Sequence, residues 1–206
     1  MNTHNVGHLG IDLPMNTKYV SDNPISQWLI RNFMGALLSL VASIETRPQQ
    51  ILDVGCGEGI VPRQLRPLWP SVTLHGLDVD PALLQVARQL VADIGCVAGS
   101  IYSLPVATAA YDLVFCTEVL EHLQKPELAV AEVTRVGKGY FLFSVPNEPW
   151  WRLANMARGS YWREWGNTPS HLNHWSTAEF VQLLSRYCNV VQVKRPFPWT
   201  MVLCQK

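Results

Sequence analysis

Short apolar runs alternate along this chain with stretches whose apolar positions recur every three or four residues. The runs at 51–54, 73–77, 95–99, 113–117 and 140–145 read as strands. The run at 113–117 is nearly continuous in apolarity, as a strand covered on both faces requires. Asn23-Pro24 opens a first helix, with Trp28, Leu29, Phe33, Leu37, Leu40, Val41 and Ile44 on one face and Pro48 beyond its end. A second helix starts at Ile60 and breaks near Pro67 and Pro70. Asp80-Pro81 caps a third, faced by Leu83, Leu84, Ala87, Leu90 and Val91, and Leu104-Pro105 turns the chain. Lys125-Pro126-Glu127 opens a fourth, which Gly137-Lys138-Gly139 stops. Ser176 and Glu179 form a capping box for the last, and 190–193 and 201–204 are the final strands. Strands alternating with helices predict an α/β, doubly wound, mostly parallel sheet with helices on both faces and an antiparallel C-terminal pair. One domain over residues 1–206 is expected, with 1–22 as a polar arm whose Lys18 and Tyr19 precede the first helix as a lid.

Composition narrows the partners. Lysine plus arginine number 16, balanced by 16 aspartates plus glutamates, so no basic excess attracts nucleic acid. Cys56, Cys96, Cys116, Cys188 and Cys204 have neither metal spacing nor an even count; reduced thiols of a cytoplasmic protein are the expectation. No basic segment followed by an apolar core marks a signal peptide. The longest largely apolar run, 33–44, is too short to span a bilayer.

The first strand runs into D-x-G-x-G-x-G, Asp53 to Gly59, and then into a helix. Strand, glycine turn and helix N-terminus make a cofactor site, with Gly55, Gly57 and Gly59 letting the backbone approach a ligand. The spacing is neither G-x-G-x-x-G nor a phosphate loop ending in Gly-Lys-Ser/Thr. No lysine follows, which suits a cofactor without phosphates. Asp53 is placed to face a cationic amine. Asp78 ends the second strand's apolar run and can accept both hydroxyls of a ribose. With these residues in place, ILDVGCGEG, GLDVDP and LPVATAAYDLVFCTEVLEHL resemble the class I S-adenosylmethionine-dependent methyltransferases, closely over about 50–145 and in outline elsewhere. The resemblance implies a seven-stranded Rossmann-like sheet and S-adenosylmethionine as cofactor. It implies contacts from Gly55, Gly57 and Asp78, in a binding set with Asp53, Cys56, Val79, Ser100, Ile101 and Thr117. Members often have Gly-Asp where this chain has Gly99-Ser100, so a serine hydroxyl stands where a carboxylate binds the adenine amine.

The chemistry is expected beyond the carboxyl ends of the strands. Methyl transfer to oxygen needs an aligned acceptor and removal of its proton. His122 is the candidate base, with Glu118 beside it; the bland alternative is that both only shape the start of a helix. If 118–122 is helical, E-x-x-E-H puts Glu118, Glu121 and His122 on one face, where they can hold Mg²⁺, Mn²⁺ or Zn²⁺. The set resembles that of the ubiquinone-pathway O-methyltransferases and the small-RNA terminal methyltransferases, and that resemblance adds His171, before Trp175, as the further ligand. Residues 146–175 carry Trp150, Trp151, Tyr161, Trp162, Trp165 and Trp175 among Arg152, Arg158 and Arg163. Four readings stand: a roof over an apolar acceptor, a peripheral membrane contact, base stacking, or extra core. The expected function is methyl transfer to a small aromatic or lipophilic acceptor, at oxygen. The alternatives are a small-RNA terminal 2′-O-methyltransferase and a non-catalytic, cofactor-binding partner subunit.

Overall fold

The apolar run at the head of the glycine turn forms β1 (Gln50–Val54), in the middle of a sheet. A computed structural model describes residues 24–157, 165 and 168–206. The arm at 1–22, the cap Asn23, and Arg158, Tyr161, Trp162 and Arg163 lie outside the described residues. The other strands are β2 (Thr73–Asp78), β3 (Gly95–Ala98), β4 (Tyr111–Thr117), β5 (Gly137–Pro146), β6 (Asn189–Lys194) and β7 (Trp199–Gln205). Their order is β3-β2-β1-β4-β5-β7-β6. β1 pairs in parallel with β2 and β4, as do β2 with β3 and β4 with β5. β7 is antiparallel to both β5 and β6. The strand order reverses between β1 and β4, which opens a crevice at their carboxyl ends.

Both faces of the sheet are covered. On one, α1 (Pro24–Ala42) and α2 (Ile60–Leu65) meet Ile51, Leu113, Phe115 and Leu142. On the other, α4 (Pro126–Val136) and α6 (Thr177–Leu184) meet Leu52, Val114, Cys116 and Phe143. Successive strand residues point to opposite faces, so continuous apolar runs feed both cores. α3 (Pro81–Leu90) starts at Asp80, whose carboxylate accepts from Ala82 N at 2.8 Å. The Ser176–Glu179 capping box is present at the start of α6.

Some boundaries differ from the sequence expectation. α4 stops at Gly137 as expected, but β5 begins there rather than at Tyr140, so helix passes directly into strand. Gly137 and Gly139 are both crowded, for a Cβ would overlap the Phe141 ring at Gly137 and the Asp112 carbonyl at Gly139. β7 begins at Trp199, ahead of the expected Met201, with Pro146 paired to Trp199. α1 runs for 19 residues with mean hydropathy 1.2, so by length and composition it is long enough to cross a membrane, contrary to the shorter run read from sequence. Leu29, Phe33, Leu37, Leu40 and Val41 of this helix are buried in the core, while Ile25 and Trp28 are exposed.

Candidate active site

The glycine turn is tight because each of its glycines has a positive φ, but the three have different neighbours. A Cβ at Gly55 would overlap the Val119 side chain, and one at Gly59 would press on Ala87 Cβ at 3.1 Å. At Gly57 a Cβ would meet nothing within 4 Å. Gly57 therefore borders open space, whereas Gly55 and Gly59 lack room for a side chain because Val119 and Ala87 pack against them.

Two carboxylates frame the turn. Asp78 Oδ2 accepts from Gly57 N at 2.8 Å, and its Oδ1 accepts from Asp80 N at 3.0 Å, so Asp78 fixes the turn as well as facing its mouth. Asp53 is 3% exposed, and its Oδ1 has no hydrogen-bond partner among the described residues. Burial, and then repulsion from Asp78, push the Asp53 carboxyl up to about 7. An orphaned buried carboxylate at the ligand's edge is the site a cation would satisfy. Cys56 is buried, and burial pushes its thiol far above the ordinary range, so it packs as an apolar group.

A cavity of about 1080 Å³ runs from this turn. Asp53, Gly55, Cys56, Gly57, Glu58, Thr117 and Glu118 line one end. Ile25, Trp28, Leu29, Ile30, Trp150, Trp151, Leu153, Phe197 and Trp199 make an apolar wall, and His122 and His171 face the same space. No lysine or arginine is among these described lining residues. Asp78, Val79, Ser100 and Ile101 are not part of this lining. Val79 is exposed, Ile101 is buried, and Ser100 Oγ accepts from Tyr102 N at 3.3 Å.

The E-x-x-E-H segment is not one helix. Glu118 has φ +57, and a single 3₁₀ turn follows only at Leu120–His122. The Glu118 carboxylate accepts from Ser144 Oγ at 2.9 Å and from Trp199 Nε1 at 2.6 Å. It thus faces the ends of β5 and β7 and the cavity, away from the expected three-residue face. Glu121, His122 and His171 instead form the group, with ligand atoms all within 4.8 Å of one another. The His122 ring nitrogen Nδ1 is 2.9 Å from Ser170 O. A carbonyl only accepts, so Nδ1 donates there, and Nε2 lies 3.9 Å from Glu121 Oε1. His174 lies elsewhere, 3.3 Å from Glu148 Oε1. Asn173 Nδ2 donates to Leu120 O and Leu123 O, tying this loop to the 3₁₀ turn.

The aromatic segment divides. α5 (Trp150–Ala157) carries Trp151, buried against the cavity, and Trp150, half exposed at its mouth. Trp175 packs on Phe180 in the core, and Trp165 is exposed. The sequence pattern does not single out Glu58, Phe197 or Trp199 as cavity residues. Proximity in sequence links neither of the last two to the glycine turn, and only the pairing of β7 with β5 brings Trp199 there.

Residues 52–143 match the methyltransferase-domain family. The chain is 39% identical over 104 residues to a malonyl-[acyl-carrier protein] O-methyltransferase of Hahella chejuensis, covering 49% of this chain and 36% of that protein. It is 30% identical over 145 residues to a ubiquinone biosynthesis O-methyltransferase of Pectobacterium carotovorum, covering 62% and 60%. The chain thus spans only part of the length of these curated relatives. The magnesium protoporphyrin IX methyltransferase of Synechocystis PCC 6803, solved with SAH bound, superposes with a TM-score of 0.68 at 14% identity, covering 90% and 89%. The family match falls on the strand, glycine turn and carboxylates whose geometry suits a cationic nucleoside. Over residues 52–143 the chain is thus similar to the methyltransferase-domain family, and the curated relatives it resembles are O-methyltransferases.

Proposed function

We propose that this chain transfers the methyl group of S-adenosylmethionine to a hydroxyl oxygen of a small, aromatic or lipophilic acceptor. The observation that carries the reading is a cavity that joins the glycine turn to an aromatic wall and two imidazoles. The cofactor supplies the electrophile: the acceptor oxygen attacks the methyl carbon in line, and the C–S bonding pair returns to sulfur. The protein aligns the two and excludes water. Asp53 and the Gly57 edge hold the cationic cofactor, and Asp78 takes its ribose. Val79, Ser100 and Ile101 border the nucleoside, and Cys56 and Thr117 the rest of it. The His122 Nε2 lone pair is the acceptor for the hydroxyl proton.

The lining also favours a neutral acceptor. Asp53, Glu58 and Glu118 border the cavity, and no cationic side chain among the described residues does. A carboxylate substrate would meet side-chain carboxylates with no lysine or arginine opposite them among the described residues, whereas a hydroxyl on an apolar body would not meet like charge. The Pectobacterium relative is named for ubiquinone biosynthesis and the Hahella one for a malonyl carrier; the apolar wall supports the former kind of acceptor. Two imidazoles and the buried Glu121 carboxylate also fit a divalent ion, with N,N,O donors suiting Mn²⁺ or Zn²⁺ better than Mg²⁺. Such an ion would lower the acceptor hydroxyl's pKa. Glu118 would not be among its ligands.

The test is label transfer from methyl-labelled S-adenosylmethionine to paired acceptor pools, phenols against carboxylic acids of equal bulk. Transfer to phenols alone is expected. Transfer only to carboxylic acids would reverse the acceptor assignment, and transfer to neither would remove the enzymatic reading.

A further inference from the structure

Five aromatic rings run in sequence beside the cavity. Phe33 of α1 meets Trp199 edge-on, with centroids 5.1 Å apart, and Trp199 lies 5.8 Å from Trp151. Trp151 stacks on His171 at 5.4 Å and 28°, and His171 meets His122 edge-on at 5.0 Å. The row ends on the imidazoles that the proposed chemistry uses. Trp151 holds the central place. Its ring is 8% exposed, so the stack is sheltered from water. Its Nε1 donates to Thr168 Oγ1 at 3.0 Å, and Asn155, one turn further along α5, donates to the same oxygen at 3.3 Å. Thr168 O in turn accepts from His171 N at 2.9 Å. On the other side, Leu172 N and Asn173 N both donate to Glu121 O. His171 therefore sits between α5 and the 3₁₀ turn, with its ring plane set by the indole.

We propose that Trp151 is the positioning residue for His171, and that through this stack α5, a wall of the cavity, is coupled to the Glu121–His122–His171 group. The inference rests on reading the cavity as the methyl-acceptor site. An imidazole on a loop has free rotation about χ1 and χ2 unless a neighbour restrains it. The indole face stacks on His171 and favours the orientation in which that ring meets His122 near edge-on. An acceptor that displaces the wall formed by α5 moves that face, and the imidazole with it.

The experiment compares the full chain carrying Trp151→Leu, Trp151→Phe or Thr168→Val with the wild type. The first reading is the nuclear Overhauser contact between the ring protons of His171 and His122, which needs no acceptor. The second is kcat and KM with a phenolic acceptor, beside the dissociation constant for S-adenosylmethionine. W151L is expected to lose the ring contact and at least tenfold in kcat, with cofactor affinity kept within twofold. W151F and T168V are expected to keep the ring contact, because each retains an aromatic face on His171. Survival of the contact in W151L overturns the proposal. Its loss in W151F or T168V also does, since the indole N–H bond would then be what orients His171. If W151L does not fold, W151F and T168V decide alone. Absence of turnover with every acceptor would strike the methyl-transfer reading and leave the ring-contact result standing.

Discussion

Replacing Asp53 by asparagine removes one charge from the most buried part of the cofactor site and little volume. Asp53 is 3% exposed, and burial followed by repulsion from Asp78 moves its carboxyl from 3.8 to about 7. The folded chain therefore binds a proton more tightly here than the unfolded chain does. The stability associated with that proton is fully present below 3.8 and is lost as pH rises through about 7. A displacement of roughly three pH units, at about 1.4 kcal/mol each, gives about 4 kcal/mol for this fully buried group. The introduced amide needs a hydrogen-bond acceptor of its own, which offsets part of the gain. Asp53→Asn should thus be more stable than wild type by about 2–4 kcal/mol at pH 8, with the difference vanishing near pH 4. Cofactor binding should move the other way. A cationic ligand prefers the ionised carboxylate, so wild-type affinity should fall as pH drops below about 7. The variant should bind S-adenosylmethionine roughly 10–100-fold more weakly at pH 8, about 1.4–2.8 kcal/mol. Urea unfolding at pH 4, 6 and 8, with titration calorimetry at the same values, measures both. Parallel stability curves for the two proteins, or equal affinities at pH 8, would refute the placement of Asp53 as a buried, cation-facing carboxylate.

Asp78→Ala should weaken S-adenosylmethionine binding by roughly 1–3 kcal/mol, since both the ribose and the Gly57 N–H lose a charged acceptor. Gly57→Val should abolish binding, because its side chain enters the open space at φ +52; calorimetry showing unchanged affinity in both would sink the cofactor assignment. Chelation followed by metal add-back, in wild type and His171→Ala, tests the divalent ion; full activity in excess chelator and an unaffected variant would leave His122 as base alone. Trp199→Phe deletes the bond to Glu118 Oε2 and should cost about 1.5–3 kcal/mol of stability in urea, a hydrogen bond to a charged group. An unchanged midpoint would show that the Trp199–Glu118 bond adds nothing to stability.

The elements are legible in the sequence because their signals are local. Apolar runs, helical spacing, the Asp80-Pro81 start and the Ser176–Glu179 box each act within a few residues, and the structure places a strand or helix at each. The glycine turn with Asp53 and Asp78 is legible for a related reason, since β1 and β2 are parallel neighbours and end side by side. α5 is not, because its tryptophans point to a roof without indicating a helix. E-x-x-E-H misleads at its first residue: spacing assumes a continuous helix, and Glu118 instead takes a left-handed turn that Ser144 and Trp199 hold. Those two partners come from β5 and β7, 26 and 81 residues away. His171 likewise joins Glu121 and His122 only because backbone bonds from Leu172 and Asn173 tie its loop to the 3₁₀ turn. The sequence alone determined the α/β alternation, the cofactor turn and its carboxylates, because period, capping and glycine chemistry act over one or two turns of chain. The tertiary structure alone decided which glycine borders open space, where Glu118 points, and which aromatic rings wall the cavity, because each depends on strands and loops that meet only after long-range pairing.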